Sequence, residues 1–102
     1  MYDAIVIGAR CGGSPLARLL ARQGQRVLLV DKSQFPSDMM STHYVKRTGA
    51  AYLRDWGLLD AVEAIGTPRI RRLNMRFGNV SLCGEAPPHR GLACDYTPKR
   101  VY

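Results

Sequence analysis

YDAIVIGARCGGSPLARLLARQGQRVLLVDK, residues 2–32, is the stretch that decides the fold of this chain. The unbroken apolar run 4–7 is typical of a parallel strand that is covered on both faces. From about Gly12 to Gln23, apolar residues recur at helical spacing. The run 26–30 reads as a second buried strand, and Asp31 closes it. A strand, a helix and a strand in this length predict a βαβ unit over residues 2–32.

The stretch 33–66 is predicted to form a loop followed by two short helices. Its first part contains Pro36 and several small polar residues, which are typical of loops. The two helices are predicted to be separated by Gly57, and the second is predicted to end at Gly66. Their buried side is predicted to consist of Leu53, Trp56, Leu58, Leu59, Val62 and Ile65.

Residues 69–84 are predicted to form a β-hairpin, because apolar and polar residues alternate along them. Gly78 and Asn79 suit a two-residue hairpin turn. Such a turn places Phe77 opposite Val80, so that apolar side chains meet across the two strands. The remaining residues, 85–102, are interpreted as the lead-in to further chain.

The glycine-rich turn after the first strand has the spacing of a dinucleotide-binding site. Gly8 and Gly13 occupy the first and third glycine positions of the fingerprint, and Asp31 follows Gly8 at close to the expected interval of roughly 20 residues. The turn offers backbone N–H groups and the helix dipole to a pyrophosphate, and the acid accepts hydrogen bonds from a ribose. Arg10 replaces the middle glycine, so its side chain must swing outward, where it could pair with a phosphate or a carbonyl. Gly12 restores some room.

Three segments then resemble a known family: residues 2–38, STHYV at 41–45 and YLRDWGLLDAV at 52–62. They are similar to the N-terminal part of FAD-dependent monooxygenases, in the flavoprotein superfamily of para-hydroxybenzoate hydroxylase and geranylgeranyl reductase. Some members of that group carry arginine at the second glycine position. The resemblance implies an α/β, Rossmann-like FAD-binding fold with an added β-hairpin.

FAD is the cofactor that the resemblance implies. The residues implied to surround its ADP half are Gly8, Ala9, Arg10, Cys11, Gly12, Gly13 and Asp31. The resemblance also implies that Lys32 approaches the adenosine and that Arg47 lies close to the flavin phosphate or ribose. Arg100 is implied to contact the cofactor. No catalytic side chain is assigned, because in such enzymes the reduced flavin performs the oxygenation.

The resemblance implies an oxidoreductase, most simply a monooxygenase that acts on a small organic substrate, with NAD(P)H as a further partner. Related enzymes run to several hundred residues, so we interpret residues 1–102 as the N-terminal part of an incomplete FAD-binding domain. We expect this segment alone to lack turnover, and we expect its exposed sheet edge to permit self-association.

Charge and cysteine content narrow the class of protein. The formal net charge is +7, from 15 basic and 8 acidic residues, which can favour nucleic acid, a membrane surface or an anionic small molecule. No apolar run approaches the roughly 18 residues that span a bilayer. Cys11, Cys83 and Cys94 show no CxxC pairing, so neither a metal site nor a disulfide framework is predicted. Reduced thiols favour a cytoplasmic protein.

Two alternatives stay open from the residues alone. One is an NAD(P)-binding dehydrogenase of Rossmann type, in which Asp31 favours NAD over NADP. The other is a small basic protein that binds nucleic acid or a protein partner. The arginines that could bind nucleic acid are Arg69, Arg71, Arg72 and Arg76. They lack interleaved aromatic residues, so we interpret them as part of a solvated sheet face and expect no nucleic-acid partner.

Overall fold

A computed structural model of the chain describes residues 1–37 and 39–98. The chain divides into two compact units, Met1–Asp38 and Met39–Tyr102. Helices and strands both occur, as the predicted α/β class requires. None of the helices in the described residues has the length and apolar character needed to cross a membrane.

Residues 1–37 of the first unit contain one helix between two parallel strands. These elements are β1 (Ala4–Ile7), α1 (Gly13–Arg22) and β2 (Val27–Val30). The strands pair in parallel, with Ala4 opposite Val27 and Ile7 opposite Val30. The predicted order of strand, helix and strand is therefore observed, and the helix ends lie within one residue of the predicted ones.

Strand β1 is covered on one face, which corrects the expectation that both faces are buried. Val6 is buried on the face against which α1 packs. Ile5 and Ile7 alternate to the other face, and they are 64% and 85% exposed. Side chains of successive strand residues point to opposite faces, so a single helix can bury only one of the two sets.

The described part of the second unit, residues 39–98, contains two helices and four strands. The helices are α2 (Arg47–Asp55) and α3 (Leu59–Ala64). The strands are β3 (Arg69–Ile70), β4 (Arg72–Phe77), β5 (Val80–Glu85) and β6 (Asp95–Tyr96). β3 pairs with β6 and β4 pairs with β5, and both pairs are antiparallel.

The core of the second unit lies between the helices and β6. Its buried members are Ala50, Leu59, Cys94 and Tyr96, and Leu53 packs against them. The chain after the hairpin thus contributes to the core through β6. The sequence pattern did not predict this contribution. Ile65, predicted to be buried, is 43% exposed instead, and it lies just after the last residue of α3.

The hairpin of β4 and β5 has the predicted register, with Phe77 opposite Val80 across the Gly78–Asn79 turn. All residues of both strands are exposed. Two of the arginines considered as nucleic-acid ligands form ion pairs. The Arg69 guanidinium lies 2.9 Å from Glu63, and the Arg72 guanidinium lies 3.5 Å from Glu85.

A buried ion pair joins the start of α2 to β6. The backbone N–H of Arg47 donates to Asp95 Oδ1 at 2.8 Å, and its Nε donates to the same oxygen at 3.1 Å. Tyr44 donates its hydroxyl to the other carboxylate oxygen. Arg47 Nη1 also donates to the carbonyl oxygens of Ala86 and, at 3.0 Å, Pro87. The two charged side chains are each only 7% exposed, so they depend on each other for solvation.

Burial by itself would raise the pKa of Asp95. The Tyr44 hydroxyl and the Arg47 N–H and guanidinium groups outweigh it, and the pKa of Asp95 is lower than its ordinary value. Asp95 therefore stays ionised near neutral pH, where its charge is balanced by that of Arg47.

Asp95→Ala should lower the free energy of unfolding by about 3 kcal/mol, because the Arg47 guanidinium is left buried without its counter-charge. Urea titration followed by circular dichroism measures the change. Glu85→Ala is the matched control, since its pair with Arg72 is exposed and should contribute little. Equal small effects of both substitutions would contradict the structural role of the buried pair.

The same carboxyl predicts a pH dependence. Its pKa is lower in the folded chain than in the unfolded chain, so its contribution to stability is complete above the ordinary carboxyl value of about 3.9 and is lost as the pH falls through the folded value. The difference in unfolding free energy between the wild type and Asp95→Asn should be constant above about pH 5. It should shrink below that pH. A difference that does not change down to acid-induced unfolding would show that Asp95 has no lowered pKa.

Candidate functional site

The turn between β1 and α1 brings backbone into contact with backbone. Gly8 has a φ of +102°, a backbone conformation that residues other than glycine rarely adopt. A Cβ atom on Gly13 would lie 1.6 Å from the carbonyl oxygen of Gly8 and 3.2 Å from Val6 Cγ1. The start of α1 therefore sits directly on the end of β1, and only glycine at position 13 allows this approach.

The N–H groups of the turn fall into two sets. Gly8 donates to the Val30 carbonyl at 2.7 Å, and Ala9 donates to Asp31 Oδ2 at 2.8 Å, so the beginning of the turn is bound to β2 and its end. The hydrogen bonds of residues 1–37 leave a second set of N–H groups available, and no side chain caps α1. This second set includes the N–H groups of Cys11, Gly12 and Gly13.

Asp31 lies beside the turn, at the end of β2. Its Oδ1 accepts from the Ser33 N–H at 2.7 Å and its Oδ2 accepts from the Ala9 N–H. The Ala9 N–H, then the Ser33 N–H and the nearby Arg10 charge, hold the pKa of Asp31 below its ordinary value. The side chain is thus an ionised acceptor at neutral pH, and each oxygen keeps a further lone pair for another donor.

Arg10 extends away from the turn, as its replacement of glycine predicts. Its Nη2 donates to the Ser37 hydroxyl at 2.9 Å, and its guanidinium carbon lies 5.4 Å from the centre of the Phe35 ring. The partners within the first unit are thus a hydroxyl group and an aromatic ring, whereas the sequence suggested a phosphate or a carbonyl. Both belong to the loop that follows β2.

The turn fits the diphosphate of a dinucleotide. A Cβ atom on Gly8 or Gly12 would have no atom within 4 Å, so the approach to the backbone is open. The N–H groups at the start of α1 lie at the positive end of the helix dipole, which favours an anion. The carboxylate of Asp31 is attached to the same turn through Ala9, at the place where a ribose hydroxyl would be accepted.

The other residues predicted to contact the cofactor are divided between the two units. Cys11 and Lys32 have exposed side chains, next to the turn and next to Asp31. Arg47 belongs to the second unit, where its guanidinium is engaged by Asp95 and two carbonyl groups. Its contact with a cofactor stays a prediction. Arg100 lies outside the described residues.

Sequence reasoning missed four residues that support the site: Ser14, Ser33, Phe35 and Ser37. The Ser14 hydroxyl donates to the Ala9 carbonyl. The Ser33 N–H donates to the Asp31 carboxylate. The second contact had a signal, because an aspartate commonly accepts from the N–H two residues later. The contacts of Phe35 and Ser37 with Arg10 had none, since they depend on how the loop folds back.

A glycine turn at a helix start and an acid at the end of the next strand fit a dinucleotide-binding protein. A family model described as "FAD binding domain" matches residues 1–97. This chain belongs to that family, and FAD is its cofactor.

Curated relatives support the predicted resemblance to FAD-dependent monooxygenases. The squalene epoxidase of Candida albicans is 36% identical over 63% of this chain and 13% of its own length. The squalene monooxygenase of Eremothecium gossypii is 35% identical over 64% of this chain and 13% of its own length. The squalene epoxidase of Schizosaccharomyces pombe is 31% identical over 87% of this chain and 20% of its own length. This chain thus spans a fifth or less of the lengths of these relatives.

Gly13→Ala should lower the free energy of unfolding by about 3 kcal/mol, because its Cβ collides with the Gly8 carbonyl and the turn must open. Gly12→Ala is the matched control, since the added methyl meets no atom within 4 Å and the backbone there is helical. Thermal unfolding of both variants measures the difference. If Gly13→Ala were as stable as Gly12→Ala, the close approach would not exist.

Proposed function

We propose that this chain is the FAD-binding segment of a flavin-dependent oxidoreductase, a monooxygenase that acts on a small organic substrate. The hydrogen bond from the Ala9 N–H to Asp31 carries the proposal, since it joins the glycine turn to the acid. Residues 2–32 then form the Rossmann-like unit that receives the ADP half of the cofactor. FAD supplies the redox chemistry, including the reaction of its reduced form with dioxygen.

The proposed roles of the residues follow from their positions. The N–H groups of Cys11, Gly12 and Gly13 donate to the diphosphate, where the helix dipole adds to their attraction. Asp31 accepts from the hydroxyls of the adenosine ribose, and its lowered pKa keeps it ionised for this task. Lys32, the residue after the acid, approaches the adenosine.

Oxygenation is preferred over reduction because the relatives quoted above are named epoxidases or monooxygenases. NAD(P)H as electron donor and an organic substrate are further partners within this proposal. We expect the 102 residues by themselves to lack turnover, since they correspond to a fifth or less of the lengths of those relatives. A cytoplasmic location and self-association through the edge of β1 also stay proposals.

Asp31→Ala should weaken FAD binding about 10- to 100-fold, because hydrogen bonds to a charged acceptor are lost. Quenching of flavin fluorescence on titration measures the affinity. Asp60→Ala is the control, since it removes an exposed carboxylate from α3 in the other unit. Unchanged FAD affinity in Asp31→Ala would remove the acid from its proposed role.

A nicotinamide nucleotide is the second candidate, because an acid that accepts from ribose hydroxyls also serves in NAD sites. Titration of the wild-type chain with NAD and with FAD in parallel separates the two. FAD should bind more tightly. Tighter binding of NAD would replace the flavoprotein proposal by the dehydrogenase one.

A further inference from the structure

We propose that Arg10 is a positioning residue that holds the loop of residues 32–37 against the adenosine side of the FAD site. It influences cofactor affinity through this loop, which we name the clamp loop, and not through a direct contact with the diphosphate. The proposal rests on the proposed function, because it concerns the same site.

The clamp loop is attached to the turn and its acid at three points. At its beginning, the Ser33 N–H donates to Asp31 Oδ1 at 2.7 Å. At its end, the Ser37 hydroxyl accepts from Arg10 Nη2 at 2.9 Å. Between them, the Phe35 ring lies 5.4 Å from the guanidinium carbon of Arg10, within the range of a cation–π contact. Two of the three attachments are made by Arg10.

These contacts use what is particular to arginine. The planar guanidinium can stack on an aromatic ring while an N–H at its edge donates to a hydroxyl group. A lysine ammonium carries the same charge but cannot make both contacts in this geometry. The position that usually requires glycine therefore tolerates arginine here because the side chain has its own partners away from the turn.

The position of the loop determines which part of the ligand it affects. The clamp loop continues directly from Asp31, the proposed ribose acceptor, whereas the N–H groups for the diphosphate lie at the start of α1. A loop that is already ordered loses less conformational entropy when a ligand binds beside it. Loss of the clamp should thus weaken binding of any adenosine-containing ligand, with or without phosphates.

The test compares adenosine, which has no phosphate, with ADP and FAD. In Arg10→Gln, each of the three should bind about fivefold more weakly, the loss expected for one hydrogen bond and one cation–π contact. Ser37→Ala should reduce all three affinities in the same direction, and Arg10→Lys should not restore them. Arg22→Gln, which removes an exposed arginine from the end of α1, is the matched control. Titrations followed by NMR chemical shifts give the affinities.

Two results would overturn the clamp. One is a loss confined to ADP and FAD that Arg10→Lys restores, which would show a direct phosphate contact. The other is an unchanged set of affinities in Ser37→Ala together with Arg10→Gln. Failure of the proposed function has a different signature, since the wild-type chain would then bind none of the three ligands.

Hydrogen exchange of the ligand-free chain decides the clamp even in that case. Arg10→Gln should speed amide exchange in residues 33–37 while exchange in α1 stays as in the wild type. Equal exchange of the clamp loop in Arg10→Gln and the wild type would show that Arg10 does not hold it.

Discussion

The hydrogen bond between the Ala9 N–H and the Asp31 carboxylate is the interaction on which the site depends. It connects the first residue after Gly8 with the end of β2, so the glycine turn and the carboxylate proposed to accept from the ribose form one unit. The contact of Gly13 with the Gly8 carbonyl fixes the other end of the turn, at the start of α1. Between these two points lie the backbone N–H groups that we propose to donate to the diphosphate.

Arg10 shows how a departure from a fingerprint can be accommodated. The middle glycine of such a turn serves to let the diphosphate approach the backbone. Here the guanidinium is drawn to Phe35 and Ser37, and Gly12 leaves open space beside the turn. The steric requirement for glycine is therefore met by moving the side chain away and not by deleting it. A second consequence is that the residues after the acid become part of the site.

The second unit is organised by charge as much as by apolar contact. Its buried residues include Arg47 and Asp95, which pair at the junction of α2 with β6, while Ala50, Leu59 and Tyr96 supply the apolar part. The hairpin of β4 and β5 lies outside that core, with every residue exposed. The resemblance suggested a cofactor role for Arg47. In the structure, the Arg47 side chain already has buried partners within the second unit.

The sequence alone determined the local features whose causes are local. Periodicity and glycine positions predicted β1, α1, β2, the two short helices and the hairpin register, because each depends on neighbours a few residues away. The spacing from Gly8 to Asp31 likewise predicted the turn and its acid. Only the tertiary structure decided what long-range contacts control: the partners of Arg10, the pair of Arg47 with Asp95, and the exposed face of β1. These depend on where distant segments meet, and no short pattern in the chain encodes that geometry.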